Sequence, residues 1–416
     1  MSIPKNFRVI VIGGGPVGLA LGHGLSAANI DFVILEKHHN IINDSGAAIM
    51  LWPHSIRIFD QLGLLAEVKK MGMSVHAKAN TLLNGKVTGR ANLFDMLEEA
   101  HGYPCLNFNR PKLTRVLYEG LPSREERIKT NATVVDIETH DHGVRVLLSD
   151  GSVEEGSIVI GADGVHSTTP DAVQLPGAVW PRRLHRGHGE FTFFETRGTG
   201  MTTQMTAFDD SIHFSLCRTL AEPTTERKMY TAEETAEMAV DFANVQVMTN
   251  LKFKDVWPKC NWTRLVNQNE GWVDKWHHGR VMLVGDGVHC MMPNAGMGLN
   301  CSIQSVVCLV NELSDALKSN ENLDCKGIDG VFSRYEKIRK EEAKIVYDMS
   351  RMIVRGTTWS SWMAWLMDQC FVPYVGQENM VRKRVSGPVI SQGRVFNFIP
   401  WDGGSKGTIP WVHTNL

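Results

Sequence analysis

The stretch "RVIVIGGGPVGLALGHGLSAANIDFVILEK", residues 8–37, decides the fold. Residues 9–12 are a short apolar run, rich in β-branched side chains, that ends in glycine, as is typical of a central parallel strand. Leu19, Leu21 and Leu25 then give an apolar helical face, and "DFVILEK" predicts a second strand. Strand, glycine turn, helix and strand in this order predict a dinucleotide-binding α/β fold.

Three glycines and one acid carry the chemistry of this stretch. Gly13, Gly15 and Gly18 form G-x-G-x-x-G: the first permits the tight turn, the second lets the backbone approach a pyrophosphate, and the third lets the helix pack closely. The helix N-terminus offers free N–H groups to the phosphates. Glu36 ends the second strand and can accept a hydrogen bond from a ribose hydroxyl, which favours FAD or NAD over a 2′-phosphorylated cofactor. The alternative is a glycine-rich turn that binds nothing.

The composition bounds the class of protein. The chain has 416 residues, enough for two packed domains, and is 43% apolar and 21% charged, which is ordinary for a soluble globular protein. Its net charge of −2 gives no electrostatic footprint for nucleic acid. The eight cysteines show no metal-ligand spacing, so we expect no metal site, and reduced, mostly buried thiols of an intracellular protein. The apolar run at the N-terminus breaks into glycine, which predicts a strand rather than a secretory signal.

Residues 357–375, "TTWSSWMAWLMDQCFVPYV", are rich in Trp and Met but contain Asp368 and Pro373, which is poor for a membrane span. We expect a core or cap helix on the substrate side. Contact with a membrane surface is the alternative, so the localisation is cytoplasmic or peripherally membrane-associated.

Two later motifs decide between cofactors. "VRVLLSDGSVEEGSIVIGADGVHS", residues 144–167, leads through two strands to Gly-Ala-Asp-Gly, and "GRVMLVGDGVHCMMPNAGMGLNCSIQS", residues 279–305, ends a strand in Gly-Asp before a glycine-flanked helix start. An NAD-dependent dehydrogenase leaves both unexplained. With the three motifs in this order, the chain resembles the single-component FAD-dependent monooxygenases of the para-hydroxybenzoate hydroxylase fold over most of residues 7–350. It is similar within them to fungal enzymes that oxidise terpenoid, indole and polyketide natural products, such as the paxilline-type epoxidases.

The resemblance implies roles for particular residues. Glu36 should bind the adenosine ribose, and Arg110 should lie near the ribityl chain and pyrophosphate. Asp163 should lie near the flavin, where the family also associates this motif with NAD(P)H, and Asp286 should hold the ribityl chain. Gly296 and Gly298 should approach the isoalloxazine at a helix N-terminus, which would stabilise negative charge on the reduced flavin. For the charged residues the alternatives are a solvated helix-start charge at 110, a turn-forming acid at 163 and an N-cap at 286. No acid or base is specific enough to be named as catalytic.

The resemblance also implies an architecture and a reaction. We expect a Rossmann-type α/β domain that binds FAD (residues 1–75, 104–185 and 270–350), a mixed-sheet substrate domain (76–103 and 186–269) and a C-terminal helix and tail (351–416). FAD, NAD(P)H as transient reductant and O₂ would hydroxylate or epoxidise a small hydrophobic substrate, in keeping with the Trp, Met and Phe content of residues 191–220 and 357–411.

The sequence also departs from the family. The arginine expected after Ser167 is absent, Met297 replaces the usual Gln, and Ser305 replaces the usual acid. These changes motivate an alternative, a cyclase or isomerase that has lost net oxidation. Elsewhere, short strands are predicted in residues 191–220, a capped helix in 231–244 and a long helix in 328–356. His277 and His278 are predicted in a surface turn, and His289 is either structural or lines the flavin pocket.

Overall fold

Two large β-sheets organise the computed structural model, which describes residues 7–42, 48–164, 170–179, 192–208, 211–222, 224, 228–320, 323–371, 381–402 and 404–414. Side chains of residues 170–179 and 371 are outside this description. The arginine expected three residues after Ser167 is replaced by Pro170, which begins a strand and whose side chain is among those outside this description.

The strands of this part of the chain are, in order, β1 (Arg8–Ile12), β2 (Asp31–Leu35), β3 (Ala48–Leu51), β4 (Met73–Ser74), β5 (Ala77–Leu82), β6 (Val87–Ala91), β7 (Leu106–Asn109), β8 (Ile128–Lys129), β9 (Val134–His140), β10 (Gly143–Leu148), β11 (Val153–Gly156), β12 (Ile158–Gly161), β13 (Pro170–Val179), β14 (Thr192–Gly198), β15 (Met201–Ala207), β16 (Ile212–Thr219), β17 (Gln246–Met248), β18 (Leu251–Lys252), β19 (Cys260–Thr263), β20 (Val266–Asn269), β21 (Gly271–Trp272), β22 (His277–His278), β23 (Val281–Leu283) and β24 (His289–Cys290).

The α-helices of the same residues are α1 (Pro16–Ala27), α2 (Pro53–Gln61), α3 (Leu65–Met71), α4 (Leu93–His101), α5 (Arg110–Gly120), α6 (Arg124–Arg127), α7 (Ala232–Asp241), α8 (Phe253–Val256), α9 (Gly298–Ser319), α10 (Cys325–Thr357) and α11 (Trp362–Leu366). Single 3₁₀ turns occupy Trp257–Lys259, Gly285–Gly287 and Pro293–Ala295, and π-helical turns occupy Met367–Phe371 and Arg382–Ile390.

The first sheet has the strand order β22-β23-β12-β1-β2-β8. β1 pairs in parallel with β12 on one side and β2 on the other, and β12 pairs in parallel with β23. The strands that open the three motifs therefore lie side by side, with their carboxyl ends at one edge. The near-continuous apolar sequence of β1 follows from this central place, because helices and a small sheet cover both faces.

The second sheet has the order β19-β13-β16-β15-β14-β5-β6, with β20 also pairing with β13. Its strands confirm the short strands predicted in residues 191–220. β13 belongs to it, so this sheet takes residues that the sequence analysis assigned to the FAD-binding part. One face packs on α7 and α8 through Phe194, Met205, Phe214 and Phe242. The division of the chain into domains stays a prediction.

Two long helices complete the core. α9 buries most of its length, and α10 packs along it, which confirms the long helix predicted in residues 328–356. The predicted capped helix is α7, where the Thr231 hydroxyl accepts from the N–H of Glu234 and the Glu234 carboxylate accepts from the N–H of Thr231. The prediction for His277 was wrong: it lies in β22, and its ring, which is mostly buried, hydrogen-bonds to the Glu336 carboxylate at 2.8 Å.

Candidate functional site

The three sequence motifs meet at the carboxyl edge of the first sheet. Gly13 has φ +106°, and a Cβ atom there would lie 2.7 Å from the Cα of Asp163. A Cβ on Gly287 would lie 3.7 Å from the carbonyl oxygen of Gly164, and one on Gly298 would lie 3.8 Å from Oδ1 of Asp286. Crowding by the second motif therefore requires glycine at position 13, whereas a Cβ at position 287 or 298 would make ordinary contacts with its neighbouring motif residue.

Glu36 lies where the first motif predicts it. Its carboxylate accepts from the N–H of Gly14 at 2.8 Å and from the N–H and ring Nδ1 of His38 at 2.9 Å and 2.5 Å. Burial on its own would raise the pKa of Glu36, but these bonds prevail and lower it. The acid is therefore ionised at neutral pH and fixed beside the glycine loop, as a group that accepts from a ribose hydroxyl must be.

Two helix N-termini face this edge without a side-chain cap. α1 follows Gly15, and α9 follows Met297. Neither N-cap residue makes a side-chain hydrogen bond, and neither helix has an acid in its first turn. A Cβ on Gly15 would meet no atom within 4 Å, so there is open space in front of the first helix. Free N–H groups and open space fit a pyrophosphate at α1 and an electron-rich ring at α9.

The carboxyl group of Asp286 lies beside the start of α9. The residue is exposed, yet the surrounding protein raises the pKa of its carboxyl through desolvation, while the Arg110 guanidinium acts in the opposite direction. A carboxyl group that is accessible to solvent and yet surrounded by protein lies in a cleft. There it could accept hydrogen bonds from a hydroxylated chain such as ribityl. Arg110 begins α5, and no side chain caps that helix either.

Asn300 fastens the start of α9, a role that the sequence did not predict. Its Oδ1 accepts from the N–H of Trp52 at 2.9 Å, and its Nδ2 donates to the carbonyls of Met50 and Gly296 at 2.8 Å. The indole N–H of Trp52 is buried without a hydrogen-bond partner among the described residues. Its Nε1 lies 3.6 Å from the position that a Cβ on Gly296 would take. An unpartnered buried donor at this place is a further sign that a polar ligand completes the site.

A cavity of about 690 Å³ runs from the glycine loop to the second sheet. Gly14 and Gly15 line one end, Arg110, Gly296 and Met297 line the middle, and strands β5, β15 and β16 line the far end. The same cavity is therefore lined both by the FAD-type features and by the second sheet. Of the predicted site residues, Gly15, Arg110 and Gly296 line the cavity itself, while Glu36, Asp163 and Asp286 lie in the elements that border it.

Known proteins agree with this geometry. A family model described as an FAD binding domain matches residues 6–348. A Neurospora crassa protein named FAD-dependent monooxygenase srdH is 37% identical over 98% of this chain and 98% of its own length. The chain belongs to this FAD-binding family and is an FAD-dependent monooxygenase.

Other relatives support the same assignment. FAD-dependent monooxygenase penE of Penicillium thymicola is 28% identical over 96% of this chain and 89% of its own length. The crystal structure of Klebsiella pneumoniae HpxO complexed with FAD and uric acid has a TM-score of 0.75 at 18% identity, and covers 93% of this chain and 99% of that one. The fold prediction is thereby confirmed: a Rossmann-type FAD-binding part, a second mixed sheet and a C-terminal helical segment. FAD as cofactor is confirmed as well.

The cavity face of the second sheet is more polar than the sequence suggested. Phe194, Met205 and Phe214 belong to the core against α7 and α8, although Met205 and Phe214 also border the cavity. Gln204 and Ser215, which pair across β15 and β16, line the cavity together with Lys78, Phe193, Thr206 and His213. The apolar content of residues 191–220 is therefore largely core. The apolar part of the lining comes chiefly from elsewhere: Met50, Trp52, Leu93, Phe94, Met349, Ile353, Val381 and Val385.

The unusual Ser305 lies in a buried network away from the cavity. Arg339 donates to the Ser305 hydroxyl at 3.2 Å and to the Cys301 carbonyl at 3.1 Å, and it forms an ion pair with Glu342. The His289 ring lies 3.4 Å from the same hydroxyl, and burial, aided by Arg339, lowers its pKa to about 3. Of the two alternatives for His289, the structure favours the structural one, because the ring is fully buried against Trp276.

Proposed function

We propose that this monooxygenase uses NAD(P)H and O₂ to hydroxylate or epoxidise a bulky, mainly apolar intermediate of terpenoid, indole or polyketide type in secondary metabolism. The observation that carries this proposal is the continuous cavity, because one end suits FAD and the other leaves a chamber at the mixed sheet. The fungal relatives that carry the FAD-dependent monooxygenase name support it.

We further propose how the chain holds its cofactor. The loop of Gly13, Gly15 and Gly18 with the start of α1 would bind the pyrophosphate, and Glu36 would accept from the adenosine ribose. Arg110 would lie against the pyrophosphate and ribityl chain, which its position in the cavity lining supports.

The remaining roles concern the flavin ring. Asp286 would hold the ribityl hydroxyls, and Gly296 and Gly298 would bring the uncapped N-terminus of α9 to the isoalloxazine. Asp163 would border the flavin near the NAD(P)H approach; its exposure and its contact with Gly13 support this placement.

Bound FAD supplies electron transfer from NAD(P)H and the activation of O₂. The chain contributes position and environment. The N–H groups at the start of α9 stabilise negative charge next to them, and Trp52, Phe94 and Leu93 exclude water from the middle of the cavity. Asn300 keeps that helix start fixed against β3.

The test is a sequence of anaerobic and aerobic measurements on the FAD-loaded protein. NADPH and NADH should each be mixed with it under nitrogen, with candidate terpenoid, indole and polyketide precursors present, and the flavin absorption at about 450 nm followed. We expect bleaching, followed by product that carries one ¹⁸O atom after admission of ¹⁸O₂. A flavin that neither nucleotide bleaches with any precursor contradicts NAD(P)H use, and product without ¹⁸O contradicts oxygen insertion.

The cyclase or isomerase alternative keeps the missing arginine and Met297 as its motives, whereas Ser305 does not support it. Ser305 lies in the network of Arg339 rather than in the cavity, and Met297 is buried, although it borders the cavity. Product that forms from the same precursors without O₂ or NAD(P)H would favour that alternative.

We also propose that α11 and the following turn contact a membrane surface. Among the described residues no helix is long and apolar enough to cross a bilayer. Trp362 is 74% exposed, Met363 59% and Trp365 46%, so these side chains are not in a core, whereas the cap helix that the sequence also predicted stays a prediction. Exposed Trp and Met on one short helical segment suit the lipid headgroup region. The exposed thiols of Cys325 and Cys370 agree with the intracellular location that we propose.

Flotation with vesicles tests this contact. Trp362→Ser/Trp365→Ser should float less than the unchanged chain, whereas Val412→Ser, at a residue 56% exposed elsewhere, should float equally. Equal flotation of all three proteins would refute the contact.

A further inference from the structure

One face of the second sheet gathers charged groups at the far end of the cavity. In the register of β5, β14 and β15, Asn80 pairs with Glu195, and Glu195 pairs with Gln204. Lys78 lies two residues before Asn80 and therefore points to the same face. Glu195 is fully buried, whereas 17% of the Lys78 side chain is exposed, and Lys78 lines the cavity.

The charges form an alternating chain. The Lys78 ammonium lies 2.9 Å from Glu195 Oε2, Arg197 donates to the same oxygen at 3.0 Å and 3.2 Å, and Arg197 also pairs with Asp368. Burial on its own would raise the pKa of Glu195, but Lys78 and Arg197 outweigh it and lower it to about 2. The carboxylate therefore stays charged and keeps both cations in place.

Lys78 is one of three residues that bind the Glu195 carboxylate, and its ammonium carries three N–H donors. Arg197 already gives that carboxylate two hydrogen bonds, and Gln204 gives it a third at 3.1 Å. Burial lowers the pKa of Lys78, which means that its charged form lacks full solvation. A ligand oxygen that enters the cavity would therefore stabilise the charged form of Lys78 by accepting a hydrogen bond from its ammonium.

Gln204 places this group next to the flavin side of the cavity. Its Nε2 donates both to Glu195 and to the carbonyl of Asn294 at 2.8 Å, and Asn294 lies two residues before Gly296. The side-chain amide of Gln204 thus connects Glu195 to the loop before Gly296, which we propose lies against the flavin. A ligand oxygen at Lys78 would leave the rest of the ligand to extend along the apolar wall.

We propose that Lys78 is a specificity-determining residue whose ammonium binds a negatively charged or hydrogen-bond-accepting oxygen of the substrate, with Glu195 as its positioning residue. The substrate class narrows to mainly apolar molecules that carry such an oxygen at one edge, as a phenol, enol, carbonyl or carboxylate. This proposal rests on the proposed function, since it assigns part of the same cavity to the substrate.

Arg264 is the rival cation, because it also lines the cavity. Arg264 is exposed, so water already solvates its guanidinium, and a ligand oxygen would stabilise this cation less than it would stabilise Lys78.

Three probes of one shape test the proposal on the FAD-loaded protein. Naphthalene, 2-naphthol and 2-naphthoate should be titrated while the flavin difference spectrum is recorded. We expect the better of the two oxygenated probes to bind about 10- to 100-fold more tightly than naphthalene, the range of a hydrogen bond to a charged group. Comparison of the naphthol and naphthoate arms shows whether a phenol or a carboxylate is preferred.

Variants assign the preference to a residue. Lys78→Met should abolish the difference in affinity, because it should weaken the binding of 2-naphthol and 2-naphthoate but not that of naphthalene. Lys78→Arg should retain most of the difference. Lys86→Met, which removes an exposed lysine from the turn between β5 and β6, should bind as the unchanged chain does. Flavin content of each variant shows that it is folded.

Several results would overturn the proposal. They are equal binding of the three probes, no spectral change up to their solubility limits, an unchanged preference in Lys78→Met, or a preference lost in Arg264→Met instead. Oxidation of NADPH by the same samples reports on the proposed function separately, because it needs no contact with Lys78.

Discussion

Replacing Glu342 by Gln should destabilise the chain by about 3 kcal/mol, because it removes the carboxylate that pairs with a buried guanidinium. Arg339 is 3% exposed, and its remaining partners are the neutral Ser305 hydroxyl and Cys301 backbone. Breaking a buried pair costs about 3–5 kcal/mol. The low end applies here because the Glu342 side chain is 27% exposed, so water relieves part of the loss.

The structure also predicts a rescue. Ser305 Oγ lies 3.2 Å from Arg339 Nε, so Asp at position 305 would put a carboxylate within reach of the same guanidinium. The double variant Ser305→Asp/Glu342→Gln should recover at least half of the loss, about 1.5 kcal/mol or more. Arg394, which donates to Glu342 at 2.9 Å, loses its partner in both variants, and this limits the recovery.

Thermal and denaturant unfolding of the FAD-loaded proteins measures these changes. Glu341→Gln is the matched control, since that neighbour is exposed and should change stability by no more than about 0.5 kcal/mol. If Glu342→Gln is as stable as the control, Arg339 does not depend on that carboxylate. If Ser305→Asp restores no stability, a carboxylate at position 305 of α9 cannot replace the Glu342 carboxylate of α10, which would refute the predicted rescue.

Three further changes test the site and its charges. Gly18→Ala should abolish FAD retention, because the new Cβ would lie 1.9 Å from the Gly13 carbonyl oxygen, whereas Gly356→Ala, which meets no atom within 4 Å, should retain FAD; the flavin-to-protein absorbance ratio measures both. Glu36→Gln should weaken FAD binding about 10- to 100-fold by fluorescence titration, and an unchanged affinity would contradict the ribose role. The depressed pKa of Glu195 should add stability that is complete above about pH 4.3 and is lost as the pH falls through about 2. Melting temperatures of the unchanged chain should therefore fall more steeply over this window than those of Glu195→Gln, and parallel curves would refute the assignment.

The part of the site that the sequence predicted depends on local rules. The glycine loop, Glu36 and the Gly-Asp turn each follow a strand, and parallel strands bring their carboxyl ends to one edge whatever the loops between them do. The meeting of Gly13 with Asp163 follows from that rule alone.

What the sequence did not predict depends on partners that are distant along the chain. From the sequence, Ser305 is only a departure from the family, a position where an acid is usual. Its consequence is set by Glu342, on another helix, which supplies a carboxylate to the same guanidinium. Asn300 likewise gains its role from Met50 and Trp52, 250 and 248 residues earlier in the chain. Spacing in one motif carries no information about either pairing.

The lining of the substrate chamber shows a different limit. Which side chains face the cavity depends on their alternation along the strand, and the amino-acid composition of the segment does not contain that information. In "HFSL", residues 213–216, Phe214 and Leu216 alternate with His213 and Ser215, and successive side chains of a strand point to opposite faces. Phe214 and Leu216 enter the core against α7 and α8, so the opposite face, with His213 and Ser215, is turned to the cavity, which Phe214 also borders. Counting Phe and Met therefore overstated how apolar the chamber is. A substrate fitted to this wall needs an apolar body toward Phe94 and Ile353, and polar atoms toward the sheet.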